Sequence, residues 1–271
     1  MKTPKIIYDS LLFPLKHIKY FLLIGFLVLL NVILTISPIV ISGAYYEVNI
    51  LSIIVFLFFT IIILGFFIRI THNTIHNIQI TEFRWLFNIY EGIKFIFLLF
   101  FYFIIPMLIL TLVLLISNSF NPSNSFNTAL TIGNTTSDLL FNFINYLDFF
   151  PDLLLDYIFM PVTESTWIGI ILLMFSSLLF VGIGRYADEY NIIRGVDLGT
   201  IINIISEIWV EYLLWFISTL LIIFLILIFS YFIGSTLLGT LLNLILIQPF
   251  LLMFLARSTG LIYIEIKKLK I

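Results

Sequence analysis

Six stretches of this chain, at about 20–41, 51–68, 95–117, 166–184, 212–233 and 236–256, run apolar without a single charged side chain. Each reaches or approaches the roughly 20 residues that a helix needs to cross a bilayer. The second is the clearest: from Leu51 to Ile68 only Ser52, Thr60 and Gly65 fall outside the strongly apolar set. Its large apolar residues, at about −0.5 kcal/mol each on an insertion scale, sum to about −7 kcal/mol. One central charge would cost about +3 kcal/mol. In hydrocarbon the backbone must satisfy itself, so these runs are expected to be helices. Barrel strands would need strict alternation of apolar and polar residues, and none is seen.

Composition closes the other routes. The chain is 62% hydrophobic and 10% charged, with a mean hydropathy of +1.19. A soluble domain is about 45–50% apolar and about 25% charged, so a globule of this composition could not cover itself with polar groups. Disorder needs the opposite balance. The net charge of −2 gives no basic face for nucleic acid, so no nucleic-acid partner is expected. With no cysteine, thiolate chemistry and disulfides are absent.

Two segments needed a decision. The first run follows Lys2, Lys5, Lys16 and Lys19, as a signal peptide would. Its length exceeds the 7–15 residues of a signal core, which favours a retained first helix. The segment 139–160 is greasy, but it holds Pro151 and three acids, Asp148, Asp152 and Asp156, four residues apart. At about +3 kcal/mol each these outweigh its apolar content. It reads as an amphipathic surface segment of an external loop, 118–165.

Six spans divide the hydrophilic segments into two sets. One holds all 13 Lys and Arg residues. The other holds none, and contains Glu47, Asp138, Asp148, Asp152, Asp156 and Glu164. The positive-inside rule then puts both termini in the cytoplasm. Trp85, Trp209 and Trp215 flank the inner ends of spans and Trp167 an outer end, as an aromatic belt would. The expectation is an all-α integral membrane bundle of six transmembrane helices, one domain over 1–271.

Within it, 65–117 and 181–233 form a candidate internal repeat at an offset of 116 residues, pairing Arg69 with Arg185 and Glu91 with Glu207. Thr81 and Asp197 are the matching N-cap candidates. The segments 81–94 and 198–211 carry apolar residues at helical spacing and read as elbow helices under the bundle, with a bend near Gly92.

Chemistry-bearing motifs are sparse. His72 and His76 share a helical face but lack a third ligand, so they read as interface histidines. Gly182-Ile183-Gly184 sits at the end of a span rather than after a strand, which argues for close helix packing instead of dinucleotide binding. Arg185 with Asp188 and Glu189, at i+3 and i+4, reads as a surface ion pair. No ionisable group lies inside any run, which disfavours a proton-coupled pump. Ser37-Pro38, Pro106 and Gln248-Pro249 are sites where a helix could kink, Asn134 opens an acceptable glycosylation sequon, and Lys267, Lys268 and Lys270 read as a stop-transfer anchor.

The ordered words Gly184-Arg185-Tyr186-Ala187-Asp188-Glu189, then Glu207, Trp209 and Tyr212, then Pro249 and the run from Ala256 and Arg257 to Glu265, resemble the family catalogued as domain of unknown function 4013. The resemblance covers most of the chain and is strongest in 182–265, with Gly65 to Arg69 and the Pro106 region as first-half counterparts. The loop 118–165 looks longer than the family's usual. The resemblance implies multi-pass residence in an archaeal cell membrane, and it brings neither an activity nor functional residues.

No catalytic, cofactor-binding or metal-ligating residue is expected. The candidate residues are an inner-face set: Arg69, Glu91, Arg185, Asp188, Glu189, Glu207, Arg257 and Glu265. The expected role is a non-enzymatic scaffold whose partners are the lipid bilayer and a membrane or cytoplasmic protein. The alternatives are a transporter-like subunit for a neutral or amphiphilic solute, needing a polar cavity near Asn31, Asn243 or Gln248, and a membrane-embedded lipid-modifying enzyme, needing a carboxylate and a base in contact, such as His72 and Asp188.

Overall fold

The computed structural model describes residues 3–42, 50–80, 82–119, 165–234 and 236–269, and among these there is helix and no strand. The helices are α1 Thr3–Lys16, α2 Ile18–Ser42, α3 Ile50–Ile75, α4 Trp85–Ser119, α5 Ser165–Glu189, α6 Ile192–Val196, α7 Leu198–Glu207, α8 Trp209–Gly234, α9 Leu237–Leu242 and α10 Gln248–Leu269, with a π-helical turn, Asn243–Ile247, joining the last two. The external segment 118–165 with its amphipathic stretch and sequon, Thr81 and the side chain of Trp167 lie outside the described residues, apart from the ends of α4 and α5.

Four helices are long and apolar enough to cross a membrane: Ile53–Ile75, Trp85–Pro106, Trp209–Gly234 and Leu238–Lys268. A bent pair, Thr3–Lys16 with Ile18–Leu34 at 77°, counts as a fifth only if the two helices are taken as one span. The chain is thus an all-α protein with four or five membrane spans among the described residues, against an expected six. The remaining run, 166–184, is helical within α5.

The chain divides into two compact units, one of Met1–Leu99 with Ser177–Ile271 and one of Phe100–Ser176. The second carries the distal part of α4, where Phe101 and Tyr102 meet edge to face.

In the first unit the later half of α3 is enclosed: every residue from Gly65 to Thr71 is buried, while Ile54, Leu57 and Phe58 of its first half are exposed. A helix apolar all round belongs in an interior. The side chain of α8 faces divide instead. Tyr212, Trp215, Phe216, Thr219, Ile223, Leu227 and Ser230 form a buried stripe, while Leu214, Leu221, Leu225 and Phe229 are exposed. So large an exposed apolar face would be a liability in water and is ordinary against lipid tails, where close packing holds helices together. Glycines supply that closeness. A Cβ on Gly65 would lie 1.7 Å from the Asn88 carbonyl oxygen, and one on Gly92 would lie 1.9 Å from that of Ile61. Thus α3 and α4 cross with backbones in contact.

Three local expectations change. The first span is preceded by a separate helix, α1, which ends at Lys16 where the chain turns at His17. The elbow helix at 81–94 is no separate element. It merges into α4 without a break at Gly92, and Leu86, Tyr90 and Ile93 point outward while Asn88 and Glu91 are buried. Trp215 is no interfacial anchor: it is fully buried, and its Nε1 donates to Ser258 Oγ at 2.9 Å. Trp85 and Trp209 are exposed at the starts of α4 and α8, as the belt reading requires. The expected N-cap at Asp197 is observed, its carboxylate accepting from the Thr200 N–H at 3.2 Å.

Candidate functional site

The candidate residues resolve into separate clusters near the ends of α3 and α5, near the start of α4 and along α10. The first centres on Asp188, whose side chain is 6% exposed. Lys267 Nζ donates to both its carboxylate oxygens, at 3.1 and 2.8 Å. His76 Nε2 lies 3.2 Å from Oδ1 and 3.0 Å from the Asp188 carbonyl. Tyr263 Oη donates at 3.5 Å. Beside it His72 Nδ1 donates to the Ala187 carbonyl at 2.6 Å, and the two imidazoles lie 4.4 Å apart. Both histidines thereby tie the end of α3 to the end of α5. Among the described residues no group of three or more His, Asp or Glu side chains could hold a metal.

The second cluster is Glu91, 2% exposed. The fully buried Tyr186 donates its hydroxyl to Oε2 at 2.5 Å, and Lys94 Nζ reaches Oε1 at 2.9 Å. A buried carboxylate is tolerable only with such partners. Tyr190, at the left-handed turn that ends α5 (φ 52°), stacks on His72. Burial, and then the nearby Glu91 charge, push its phenol above the ordinary tyrosine range. Arg69 is 7% exposed, and its Nη1 meets no acceptor among the described residues.

The expected pairing of Arg185 with Asp188 and Glu189 is not formed. Arg185 Nη1 instead reaches Asp197 Oδ2 at 3.4 Å, and Glu189 pairs with Arg194 at 2.5 Å. Helical spacing allowed the first arrangement, but Lys267 and His76 turn Asp188 inward. Glu207 is exposed on α7. On α10, Glu265 pairs with Lys268 at 2.7 Å. Arg257 donates to Thr74 Oγ1 at 3.1 Å and lies over the Phe13 ring at 5.1 Å. Beside Arg257 opens a cleft of about 400 Å³, lined among others by Asp9, Lys16, His17, Asn73, Asn77 and Gln79.

The structure therefore brings Asp188 to a histidine, but to His76 and not His72, and keeps it from Arg185. It leaves Glu207 apart from the other candidates. Tyr186, Tyr263 and Thr74 were not among the candidate residues because their partners Glu91, Asp188 and Arg257 lie 95, 75 and 183 residues away along the chain. Lys267 was read as an anchor because its partner is 79 residues away. Gly184 acts as a packing residue: a Cβ there would sit 2.7 Å from the Tyr263 ring. Near the polar residues of the spans, Asn31 Nδ2 lies 3.4 Å from Thr60 Oγ1 and Asn243 Nδ2 donates to the Ser230 carbonyl at 3.0 Å.

A family model described as protein of unknown function (DUF4013) matches residues 48–239. It stops short of the α10 words, from Ala256 to Glu265, on which part of the sequence resemblance rested. No curated protein and no solved structure matches the chain.

Proposed function

We propose, on the premise that the chain belongs to the family of unknown function DUF4013, that it is a non-enzymatic scaffold of the cell membrane, multi-pass, with both termini in the cytoplasm. The reading is supported by one observation: the carboxylates of its basic end are used on one another's helices. Asp188 is held by Lys267 and His76, and Glu91 by Tyr186 and Lys94. Glu189 and Asp197 have arginines. Catalytic acids and coupling carboxylates must be reachable and change charge, whereas these clamp helix ends. The clamp holds a surface that a membrane or cytoplasmic protein can read.

Native mass spectrometry of the gently extracted full chain tests this. The expected result is a complex of fixed stoichiometry with one partner protein. A chain that extracts alone under all mild conditions would overturn the scaffold. Orientation is tested separately, since the chain has no native thiol. A cysteine at Ser125 is expected to react with an impermeant reagent from outside, and one at Lys268 only after permeabilisation. The reverse pattern would invert the topology.

A transporter-like reading has one specific support. The π-helical turn Asn243–Ile247 interrupts the last span just before Pro249, and interrupted helices line substrate sites in transporters. Solute-dependent flux in proteoliposomes that is lost in Asn243→Leu would favour it over the scaffold.

A further inference from the structure

We propose that the cleft between α1, the end of α3, the 77–80 turn and Arg257 of α10 binds a phosphate-bearing anion, held at the membrane surface. Three side chains with basic nitrogens line it, Lys16, His17 and Arg257, against one carboxylate, Asp9. Among the described residues neither Lys16 nor Arg257 has a carboxylate within ion-pair distance, whereas Lys267, Arg194 and Arg185 are paired with Asp188, Glu189 and Asp197. Lys16 is exposed, and Arg257 spends Nη1 on Thr74 and leaves Nε without an acceptor. The guanidinium is fixed in place by that bond and by the Phe13 ring, so it is preorganised for an anion.

The rest of the lining suits phosphate oxygens. Asn73 and Thr74 are 8% and 3% exposed and form a polar floor. Asn77 takes the left-handed conformation (φ 53°), which turns the chain so that its amide and that of Gln79 border the opening. His17 donates Nδ1–H to the Phe13 carbonyl at 3.1 Å, which fixes the ring.

The position of α1 sets the depth. It lies at 77° to the following helix, so where α2 crosses the bilayer α1 runs close to the membrane plane. It exposes Tyr8 and Leu15 beside Lys5 and Lys16, the mixture of an interfacial helix. A lipid headgroup and a soluble phosphate ester share the chemistry that these residues recognise.

The test uses the full chain in neutral detergent, titrated with short-chain phosphatidylglycerol, short-chain phosphatidylcholine or glycerol 3-phosphate, with binding read by native mass spectrometry. Phosphatidylglycerol is expected to bind at least fivefold more tightly than phosphatidylcholine. Lys16→Gln is expected to weaken that binding about fivefold, as loss of one cation near an anionic surface does. Lys16 is exposed, so the variant keeps the fold. Lys268→Gln, which removes a lysine already paired with Glu265, should change it less than twofold. Saturable binding of glycerol 3-phosphate, with the same sensitivity to Lys16→Gln and without lipid preference, would assign the cleft to a soluble ester and support the site equally. Equal binding of the two lipids without binding of the ester, or a lipid preference that Lys16→Gln leaves intact, would overturn the proposal.

Discussion

The α3–α4 joint and the α5–α8 joint, which sequence spacing sets 116 residues apart, solve the same task differently. At the first, α4 runs through Gly92 unbroken. At the second, the chain breaks at Ile208, the corresponding position, into α7 and α8. The reason is steric. Gly92 admits the backbone of Ile61 where a Cβ would lie 1.9 Å from its carbonyl oxygen. Ile208 has a branched side chain, which α7 buries as it ends. Electrostatics follow the same division. Glu91 is buried because Tyr186 and Lys94 reach it. Glu207, its counterpart, would need partners at positions 70 and 210, and those are Ile70 and Val210. It therefore stays in solvent. Residues that sequence spacing pairs share a fate only when their neighbours match too.

The largest effect should come from that carboxylate. Glu91→Ala leaves the buried Tyr186 hydroxyl with only the residue 91 backbone carbonyl, at 3.3 Å, and Lys94 without its carboxylate, and is expected to cost about 4 kcal/mol, as breaking one side of a buried pair does. Glu207→Ala should change stability by less than about 0.5 kcal/mol. Unfolding midpoints in mixed detergent measure both, and equal losses would erase the distinction between the joints. Glu91→Gln, which keeps an acceptor for Tyr186, should fall between the two.

The helix crossing comes next. Gly65→Ala places a methyl group 1.7 Å from the Asn88 carbonyl oxygen, and a backbone cannot yield as a side chain can. The expected loss is about 3 kcal/mol, the upper end of overpacking costs. Gly199→Ala, at the second joint, would bring a methyl group no closer than 3.8 Å to Asp197 Oδ1 and should cost far less than Gly65→Ala. A tolerated Gly65→Ala would mean that α3 and α4 do not cross in contact.

These contrasts explain what could be read from the chain alone. The apolar runs at 51–68 and 212–233 announced α3 and α8, because hydrocarbon leaves the backbone no alternative to a helix. Asp197 announced a cap, since capping is local. The bend near Gly92 was misread because glycine's lack of a side chain serves a bend and a close crossing alike, and only the partner helix decides. The pairing of Arg185 was misread for a similar reason. Spacing along one helix ranks neighbours within that helix, and it is blind to Lys267 and His76 arriving from two others. Tyr186 stands in a charged stretch, but nothing in the spacing pairs it with Glu91, 95 residues away.

The smallest expected effect concerns pH at the second joint. Asp197 is exposed, yet bonds from the Thr200 hydroxyl and N–H, helped by Arg185, hold its carboxyl below the usual carboxylate range. A depressed acid stabilises the fold fully above its unfolded pKa, and that contribution fades as pH falls through the folded value. The start of α7 should therefore be unchanged between pH 8 and pH 5 and loosen only below about pH 4. Hydrogen exchange of the α7 amides, corrected for intrinsic rates, reads this directly. In Asp197→Asn the cap bond to Thr200 survives, because asparagine caps as well as aspartate, but the acid-induced loosening should vanish. At the first joint no carboxylate among the described residues caps the start of α4, so its opening turn should show no matching change. Acid loosening that persists in Asp197→Asn would move its origin to the Glu189–Arg194 pair at the end of α5, and the separate capping of α7 would no longer distinguish the two joints.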